Sequence, residues 1–184
     1  MLFRSLRRML GDEVNIADSL NNLGYLLVLL EEHAQARPLL EESLSLAERL
    51  EDTRHIALAV GNLALVSLFT GENEDARARF VECIRLSEQL GDKRGVLEAV
   101  RGLAAIAAQA GALGDAARLQ GAAIGLNARA GGTPSPGEAL IDARLLAPAR
   151  ARLGTEPWDR TSREGETLEL DQAITMGLES TLAG

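Results

Sequence analysis

The sequence has few of the residues that build sheets or cross-links. Only 3% of its 184 residues are aromatic, β-branched residues are sparse, and Cys83 is the single cysteine. Strands prefer aromatic and β-branched side chains, and one cysteine excludes an intrachain disulfide. Ala, Leu, Glu and Arg dominate instead, and these are good helix formers. The composition therefore predicts an all-α protein whose length allows one domain with a real core.

Long apolar runs and an excess of positive charge are also missing. The sequence contains no stretch of 18 apolar residues, so we expect no membrane span. A net charge of −8 and a pI of about 4.9 argue against nucleic acid or anionic membranes as direct partners. The one basic cluster, Arg4, Arg7 and Arg8, is expected to be a solvated helix face. These properties favour a cytoplasmic protein.

Motifs that carry chemistry are absent as well. The sequence has no Walker A motif, no GxGxxG after a strand, no HExxH and no EF-hand loop. His33 and His55 have no partner at metal-ligand spacing, and Ser, His and carboxylate residues are too scattered to propose a catalytic triad. We therefore expect no enzymatic activity, no cofactor and no metal site, and we place Cys83 in the core, where free cysteine packs as a small hydrophobe.

What the sequence does contain is a repeat of 40 residues. Residues 17–56 and 57–96 align without gaps at 12 identical positions, against three or four expected by chance. A third, more degenerate copy follows at 97–136. Within each copy, apolar residues recur at helical spacing, are interrupted by a polar or glycine-containing break, and then recur again. Each copy is therefore predicted to be a helical hairpin, and stacking the hairpins completes their core.

Several residues have specific predicted roles in these hairpins. Gly71 and Gly111 are expected just after helix ends, where glycine accepts a positive φ, and Asn73 is expected to cap the next helix. Pro38 should delay or bend the second helix of its repeat. Small residues should let the paired helices approach closely, namely Gly24, Ala64, Ala104, Ala36, Ala76 and Ala116. The hypothesis also requires Leu23, Leu63 and Leu103 to be buried.

The repeats resemble the tetratricopeptide repeat family. "NLG" at 22–24 followed by Ala36 and Leu40 fits the family pattern, and "NLA" at 62–64 followed by Ala76, Phe80 and Cys83 fits it again. "GLA" at 102–104, with Ala116 and Ala123, fits more loosely. The resemblance implies an α-α superhelix, a solenoid of antiparallel hairpins. The period of 40 exceeds the usual 34 and implies longer helices or turns.

The region after the repeats resembles the C-terminal end of bacterial regulators that carry a signal-transducing ATPase module, of the AfsR, MalT and LuxR types. That end has a Leu-Gly, a stretch with aromatics, a Gly and then an L-x-L-[DE]-x-A pattern. The matching residues here are Leu153, Gly154, Trp158, Gly165, Leu168, Leu170, Asp171, Ala173 and Ile174. The resemblance implies a place in a transcriptional regulator, with the ATPase domain of the parent protein as a candidate partner. Trp158 is expected to anchor the tail.

The repeat phase also predicts how the chain is divided. "MLGDEVNIA" at 9–17 parallels "RLEDTRHIA" at 49–57, so the chain should begin inside a second helix whose partner is missing. We favour an excised piece of a longer array over a lone capping helix. The predicted segments are a partial repeat at 1–14, three repeats within 15–130 (17–56, 57–96 and 97–136 in phase), a linker at 131–137 and capping helices at 138–184.

The resemblance implies that the first helix of each repeat lines a concave inner face. The candidate partner-binding residues on this face are Asp18, Asn21, Asn22, Tyr25, Asn62, Leu65, Leu68, Glu98 and Arg101. Family members that clamp a carboxylate need several cations and asparagines, and here only Arg101 is available with the asparagines. An extended or helical peptide suits the face better. The alternative is that these side chains pack against neighbouring repeats.

Two functional hypotheses follow. In the first, the chain is a non-enzymatic interaction and sensor module of a bacterial transcriptional regulator, and it binds a protein, peptide or effector on the concave face. In the second, it is a stand-alone scaffold that forms homo-oligomers through the open ends of the stack.

Overall fold

The computed structural model describes the backbone of residues 2–180 and the side chains of residues 12–180. This part of the chain is helical and contains no β-strand, which confirms the predicted all-α class. A wide π-helical turn at Asp142–Leu146 separates α7 from α8. The helices are α1 (Leu2–Leu29), α2 (His33–Arg49), α3 (Thr53–Phe69), α4 (Asn73–Leu90), α5 (Lys93–Gln109), α6 (Leu113–Arg129), α7 (Pro136–Ile141), α8 (Ala147–Leu153), α9 (Thr155–Gly165) and α10 (Leu170–Ser180).

The first six helices form three stacked hairpins. Helices α1 and α2, α3 and α4, and α5 and α6 pair as hairpins, and each hairpin packs against the next through α2 with α3 and α4 with α5. The first helices α1, α3 and α5 also contact one another and form the inner layer. This arrangement is the helical solenoid that the 40-residue repeat predicts, because no single hairpin can bury its apolar face alone.

A left-handed residue ends the helix before every turn of the stack, at intervals of 20 residues. The φ angle is positive at Glu31, Glu51, Gly71, Gly91, Gly111 and Gly131. At each of these turns the next amide donates to a carbonyl five residues earlier, as Glu72 N does to Ser67 O at 2.8 Å. This is the Schellman motif, which satisfies carbonyls at a helix end. The predicted roles of Gly71 and Gly111 are therefore confirmed. The structural unit that recurs is one helix with its turn, 20 residues in all.

Small residues bring the helices of each hairpin together, as predicted. A Cβ at Gly24 would lie 2.6 Å from Cδ2 of Leu40, and the alanines at the equivalent positions are fully buried. Phe80 approaches α5 at Gly102 in the same way. Close packing of this kind leaves no room for a larger side chain.

The N-terminal end differs from the prediction in two ways. Helix α1 runs without a break from Leu2 to Leu29, so no turn separates residues 1–14 from the first repeat. Leu63 and Leu103 are fully buried, whereas Leu23 is 49% exposed, so its predicted burial is wrong. The positions of residue 1 and of the side chains up to residue 11, including Arg4, Arg7 and Arg8, lie outside the described part.

Two local predictions about helix starts are also wrong, namely that Pro38 delays α2 and that Asn73 caps α4, whereas a bend of α2 at Pro38 stays a prediction. Helix α2 begins at His33, in phase with α4 at Asn73 and α6 at Leu113, so Pro38 does not delay it. The N-cap of α4 is Glu72, and the buried Asn73 Oδ1 has no hydrogen-bond partner among the described residues. Side-chain caps occur instead at Asp52 and Asp92, each of which accepts two backbone amides at the start of α3 or α5.

The C-terminal helices cover the last hairpin and turn back across the inner layer. Helices α9 and α10 pack against α6, and α10 also packs against α5. Trp158 is 2% exposed and its Nε1 donates to Oε1 of Gln120 at 2.9 Å, so it anchors the tail as predicted. Helix α7 contacts α1 and α5. Residues 181–184 of the predicted capping segment lie outside the described part.

Candidate functional site

The inner layer and α7 enclose a partly open cleft of about 660 Å³. Helices α1, α3 and α5 form its walls, α4 contributes to its floor, and residues 135–141 close one side. The lining combines apolar side chains with amide, hydroxyl and carboxylate groups, as in Leu58, Leu65, Asn62, Ser135 and Glu98. Concave sites with apolar walls and a few polar groups are the usual form of binding sites in proteins.

Six of the nine candidate residues lie together in this cleft: Asn21, Asn22, Tyr25, Asn62, Leu65 and Glu98. The Asn62 Nδ2 donates to Oδ1 of Asn21 at 2.9 Å, which links α1 to α3 across the cleft. Among the described residues, the Asn21 amide N–H groups and the Asn62 carbonyl make no other hydrogen bond. The NH₂ group of Asn21 and the carbonyl of Asn62 are therefore left for another molecule.

The other three candidates lie elsewhere. Leu68 is fully buried in the core, and Arg101 is 1% exposed and enclosed by α5, α7 and the π-helical turn. Neither can touch a partner on the surface, because the tail covers Arg101 and the core encloses Leu68. The Asp18 side chain is 53% exposed and lies outside the cleft, with Oδ1 at 3.8 Å from Nε2 of His55.

The sequence predicted a linker at 131–137 and did not indicate that the segment at 135–141 closes the cleft. Ser135 begins α7 with a capping box, in which its hydroxyl accepts from Glu138 N and its own N–H donates to Glu138. The N–H of Gly137 donates to Oη of Tyr25 at 2.9 Å and so joins α7 to α1. The Ser-Pro-Gly-Glu order at 135–138 is a sequence signal for this helix start, but it gives no indication of where the helix packs.

The charged side chains that line the cleft are the carboxylates of Asp92, Glu98 and Glu138 and the guanidinium groups of Arg54 and Arg94. The Glu98 side chain is 44% exposed, and its nearest cation is the Arg94 guanidinium at 3.9 Å. Burial raises the pKa of Glu98, and the charges of Glu138 and Asp92 raise it further. Burial also raises the pKa of the Tyr25 hydroxyl, with a contribution from Glu98. A positive group entering the cleft would relieve this unfavourable environment.

Cys83 lies at the floor of the cleft and is 6% exposed, which confirms its predicted core position. Its Sγ is 3.9 Å from the Ala57 carbonyl, and burial raises the pKa of the thiol to about 11. The neutral thiol therefore packs as a small apolar group.

The described residues include no cluster of three or more metal-ligating side chains. Over the same part of the chain, no helix has the length and hydropathy needed to cross a membrane.

Comparison with known proteins gives a family match for part of the repeats. Residues 15–86 match the family model described as tetratricopeptide repeat, a segment that runs from the middle of α1 to within four residues of the end of α4. The match supports the tetratricopeptide repeat assignment that the 40-residue period suggested. Repeats of this family form a non-catalytic fold that generally mediates protein–protein interaction. No curated protein and no solved structure gave a significant match.

Proposed function

We propose that this chain is a protein-interaction module that binds an extended segment of a partner protein in the inner cleft. The observation that carries the proposal is the convergence of side chains from three hairpins and α7 on one cleft of about 660 Å³. A cavity of this size accommodates several residues of a peptide. It also lies on the inner layer of a repeat fold whose general role is protein binding.

The lining supplies each type of contact that an extended peptide requires. The Asn21 amide N–H groups and the Asn62 side-chain carbonyl, which their mutual hydrogen bond leaves unused, can bond a partner's backbone, which has one donor and one acceptor per residue. Leu58, which is 41% exposed, and Leu65 offer apolar contacts for its side chains. Backbone bonds contribute affinity, whereas side-chain pockets determine which sequence binds.

The charge of the cleft favours a basic side chain at one position of that peptide. Glu98 is partly enclosed, its pKa is raised by burial, and Arg94 is only at the edge of ion-pair distance. An Arg or Lys side chain beside Glu98 would form a charge-assisted hydrogen bond. Arg101 is already paired with Glu138 and Asp142, so it is not available to bind a terminal carboxylate.

A random peptide library displayed on phage and selected against the full chain tests this proposal. Selected peptides should be enriched in Arg or Lys, and titration calorimetry should show that Glu98→Gln weakens their binding about tenfold or more, the usual effect of losing a hydrogen bond to a charged group. Glu88→Gln is the matched control, since Glu88 is an exposed carboxylate on α4 outside the cleft. Absence of basic enrichment, or equal effects of the two variants, would contradict the proposal.

We further propose that the module acts within a bacterial transcriptional regulator in the cytoplasm, with the signal-transducing ATPase domain of the parent protein as a partner. The support is the pattern from Leu153 to Ile174, in which Trp158 and Gly165 lie at the contact of α9 with α6. Cross-linking of the module to that ATPase domain, with and without nucleotide, is the direct test. No association under any nucleotide condition would count against this assignment.

A further inference from the structure

Gly61 leaves a gap in the inner layer of the stack. The 40-residue repeat places it at the same position as Asn21 in α1 and Arg101 in α5. Both of those side chains make a bond to another element, since Asn21 accepts from Asn62 and Arg101 pairs with Glu138. Gly61 has no side chain that could do the same, so the cleft extends to the backbone of α3 at this point.

Neither the backbone of α3 nor its packing requires a glycine at this position. Gly61 lies in the interior of the helix Thr53–Phe69, where glycine is less favourable than alanine, and its φ is not positive. At Gly102, by contrast, a Cβ would overlap the ring of Phe80, so close packing requires glycine there. A Cβ at Gly61 would meet only Sγ of Cys83 within 4 Å, at 3.3 Å. What glycine provides at this position is therefore the open space above Cys83.

Apolar side chains surround this space. The Gly61 pocket, as it is called here, is the part of the cleft lined by Ala57, Leu58, Gly61, Phe80, Cys83 and Leu90. Leu58 and Leu90 are 41% and 43% exposed, although both lie in a concave site. Apolar surface that water covers in the free protein is favourably buried when another apolar group replaces that water. The Gly61 pocket is therefore suited to an apolar side chain of a ligand.

Glu98 lies close to the Gly61 pocket. The Sγ of Cys83 is 4.0 Å from Oγ of Ser87, and a Cβ at Gly95 would overlap that hydroxyl. Glu98 is three residues beyond Gly95 in α5, which is about 4.5 Å along the helix. An extended peptide advances by about 3.3 Å per residue. Two side chains of such a peptide that reach the pocket and Glu98 therefore belong to residues within about three positions of each other.

We propose that the Gly61 pocket receives one large apolar side chain of the partner peptide, a Leu, Met or Phe, within about three positions of the basic residue that pairs with Glu98. This inference rests on the proposed function and adds the second side chain that the cleft selects. Burial of such a side chain increases affinity about 10- to 100-fold. Gly61 determines this specificity, because any larger residue at its position would fill the pocket.

Peptides selected on phage against the full chain test the inference. We expect a Leu, Met or Phe to recur within about three positions of the Arg or Lys. Replacing this apolar residue by Ala should weaken binding to the wild-type chain about 10- to 100-fold in titration calorimetry. The variant Gly61→Leu fills the pocket, so it should bind the selected peptide and its alanine version with similar affinity. The four affinities form a double-mutant cycle.

The matched control is Gly114→Leu. Gly114 lies in α6 outside the cleft, and no atom is within 4 Å of its Cβ position, so this variant should keep the wild-type preference for the selected peptide. Circular dichroism shows whether each variant is folded. Gly61→Ala adds only one methyl group, and it should reduce the preference in the same direction by a smaller factor if Gly61→Leu does not fold.

The possible outcomes separate this inference from the proposed function. If no peptide is selected, the proposed function is contradicted and this inference with it. Basic peptides without a recurrent apolar residue would overturn this inference alone. It would also be overturned if Gly61→Leu kept the full preference for the selected peptide, or if Gly114→Leu lost that preference equally.

Discussion

Arg101 and Glu138 form an ion pair in the interior of the protein, with Nε of Arg101 at 3.1 Å from Oε1 of Glu138 and side-chain exposures of 1% and 4%. Arg101 belongs to the inner helix α5, and Glu138 belongs to α7. The same guanidinium donates through Nη1 to Asp142 at 2.5 Å. One cation therefore holds the tail against the inner layer, and in doing so it closes one side of the cleft.

We expect Arg101→Met to lower the free energy of unfolding by about 3–5 kcal/mol. Removing one partner of a buried pair leaves the other as an uncompensated charge in the interior. Urea unfolding at neutral pH measures the change. The control is Arg150→Met, which removes an exposed pair with Asp159 and should change stability by about 0–1 kcal/mol. Similar losses for the two variants would show that the buried pair has no special role.

At the left-handed turns, by contrast, we expect a substitution that raises the free energy of unfolding. Glu51 has a φ of 54°, at a position where Gly91 occupies the equivalent turn one repeat later. A side chain in the left-handed region is strained by about 1–3 kcal/mol, and glycine avoids that strain. Glu51→Gly should therefore raise the free energy of unfolding by about 1 kcal/mol, as measured in urea. Glu51 is a cleaner test than Glu31, which pairs with Arg144.

Gly91→Ala provides the reciprocal control, since it introduces a side chain where φ is 67°. This variant should lose about 1 kcal/mol or more. If the two substitutions changed stability in the same direction, backbone strain at the turns could not be the cause.

The hairpins could be predicted from the sequence because their signals are local. A glycine such as Gly71 determines the end of a helix through its own φ, and alanines such as Ala76 determine how closely the neighbouring helix approaches. The 40-residue period repeated these signals and made them recognisable. The same period also assigned residues 1–14 to a separate partial repeat, whereas α1 runs without a break from Leu2 to Leu29.

The errors in the candidate site have a different cause. Arg101 and Leu68 have the correct position on their helices, but the tail covers one and the core encloses the other. Leu23 has the correct helical phase and is nevertheless exposed, because no described helix packs on it. In each case the outcome depends on which distant segment lies next to the residue, and no pattern within the repeat contains that information.

The packing role of three glycines at the contact of α6 and α9 was also not predicted from the sequence. A Cβ at Gly121 would overlap the backbone of Ser162 in α9. A Cβ at Gly125 would overlap the backbone of Glu166, just after α9, and a Cβ at Gly165 would overlap the backbone of Arg118 in α6. The spacing of Gly121 and Gly125 by four places them on one side of α6. This spacing was the sequence signal for a close helix contact, since small residues four apart permit backbones to approach closely.

We expect Gly121→Ala to destabilise the protein by at least about 2 kcal/mol, because backbone cannot move aside as a flexible side chain can. Gly114→Ala in the same helix is the control. No atom lies within 4 Å of its Cβ position, so alanine should stabilise the helix by about 0.5 kcal/mol. Urea unfolding of both variants gives the comparison. The packing explanation fails if Gly121→Ala is as stable as the wild type.

The thiol of Cys83 supplies the last prediction. Burial raises its pKa to about 11, so at pH 8 the folded protein contains about 100-fold less thiolate than an ordinary cysteine of pKa near 8.5 to 9. Alkylation by iodoacetamide requires the thiolate. The reaction of the folded chain at pH 8 should therefore be slower by about 100-fold than that of the same chain unfolded in urea, as followed by mass spectrometry.

The pH dependence of this reaction separates burial from simple blockage of access. Because the folded-state pKa lies above the unfolded one, ionisation of Cys83 opposes folding, and the stability it contributes is present below the unfolded pKa and lost as pH rises through about 11. The alkylation rate of the folded chain should accordingly rise about tenfold per pH unit between pH 8 and 10, without unfolding. A rate independent of pH would mean that access alone limits the reaction. A rate close to that of the unfolded chain at pH 8 would instead place a reactive thiol at the floor of the cleft and make Cys83 a candidate for redox chemistry.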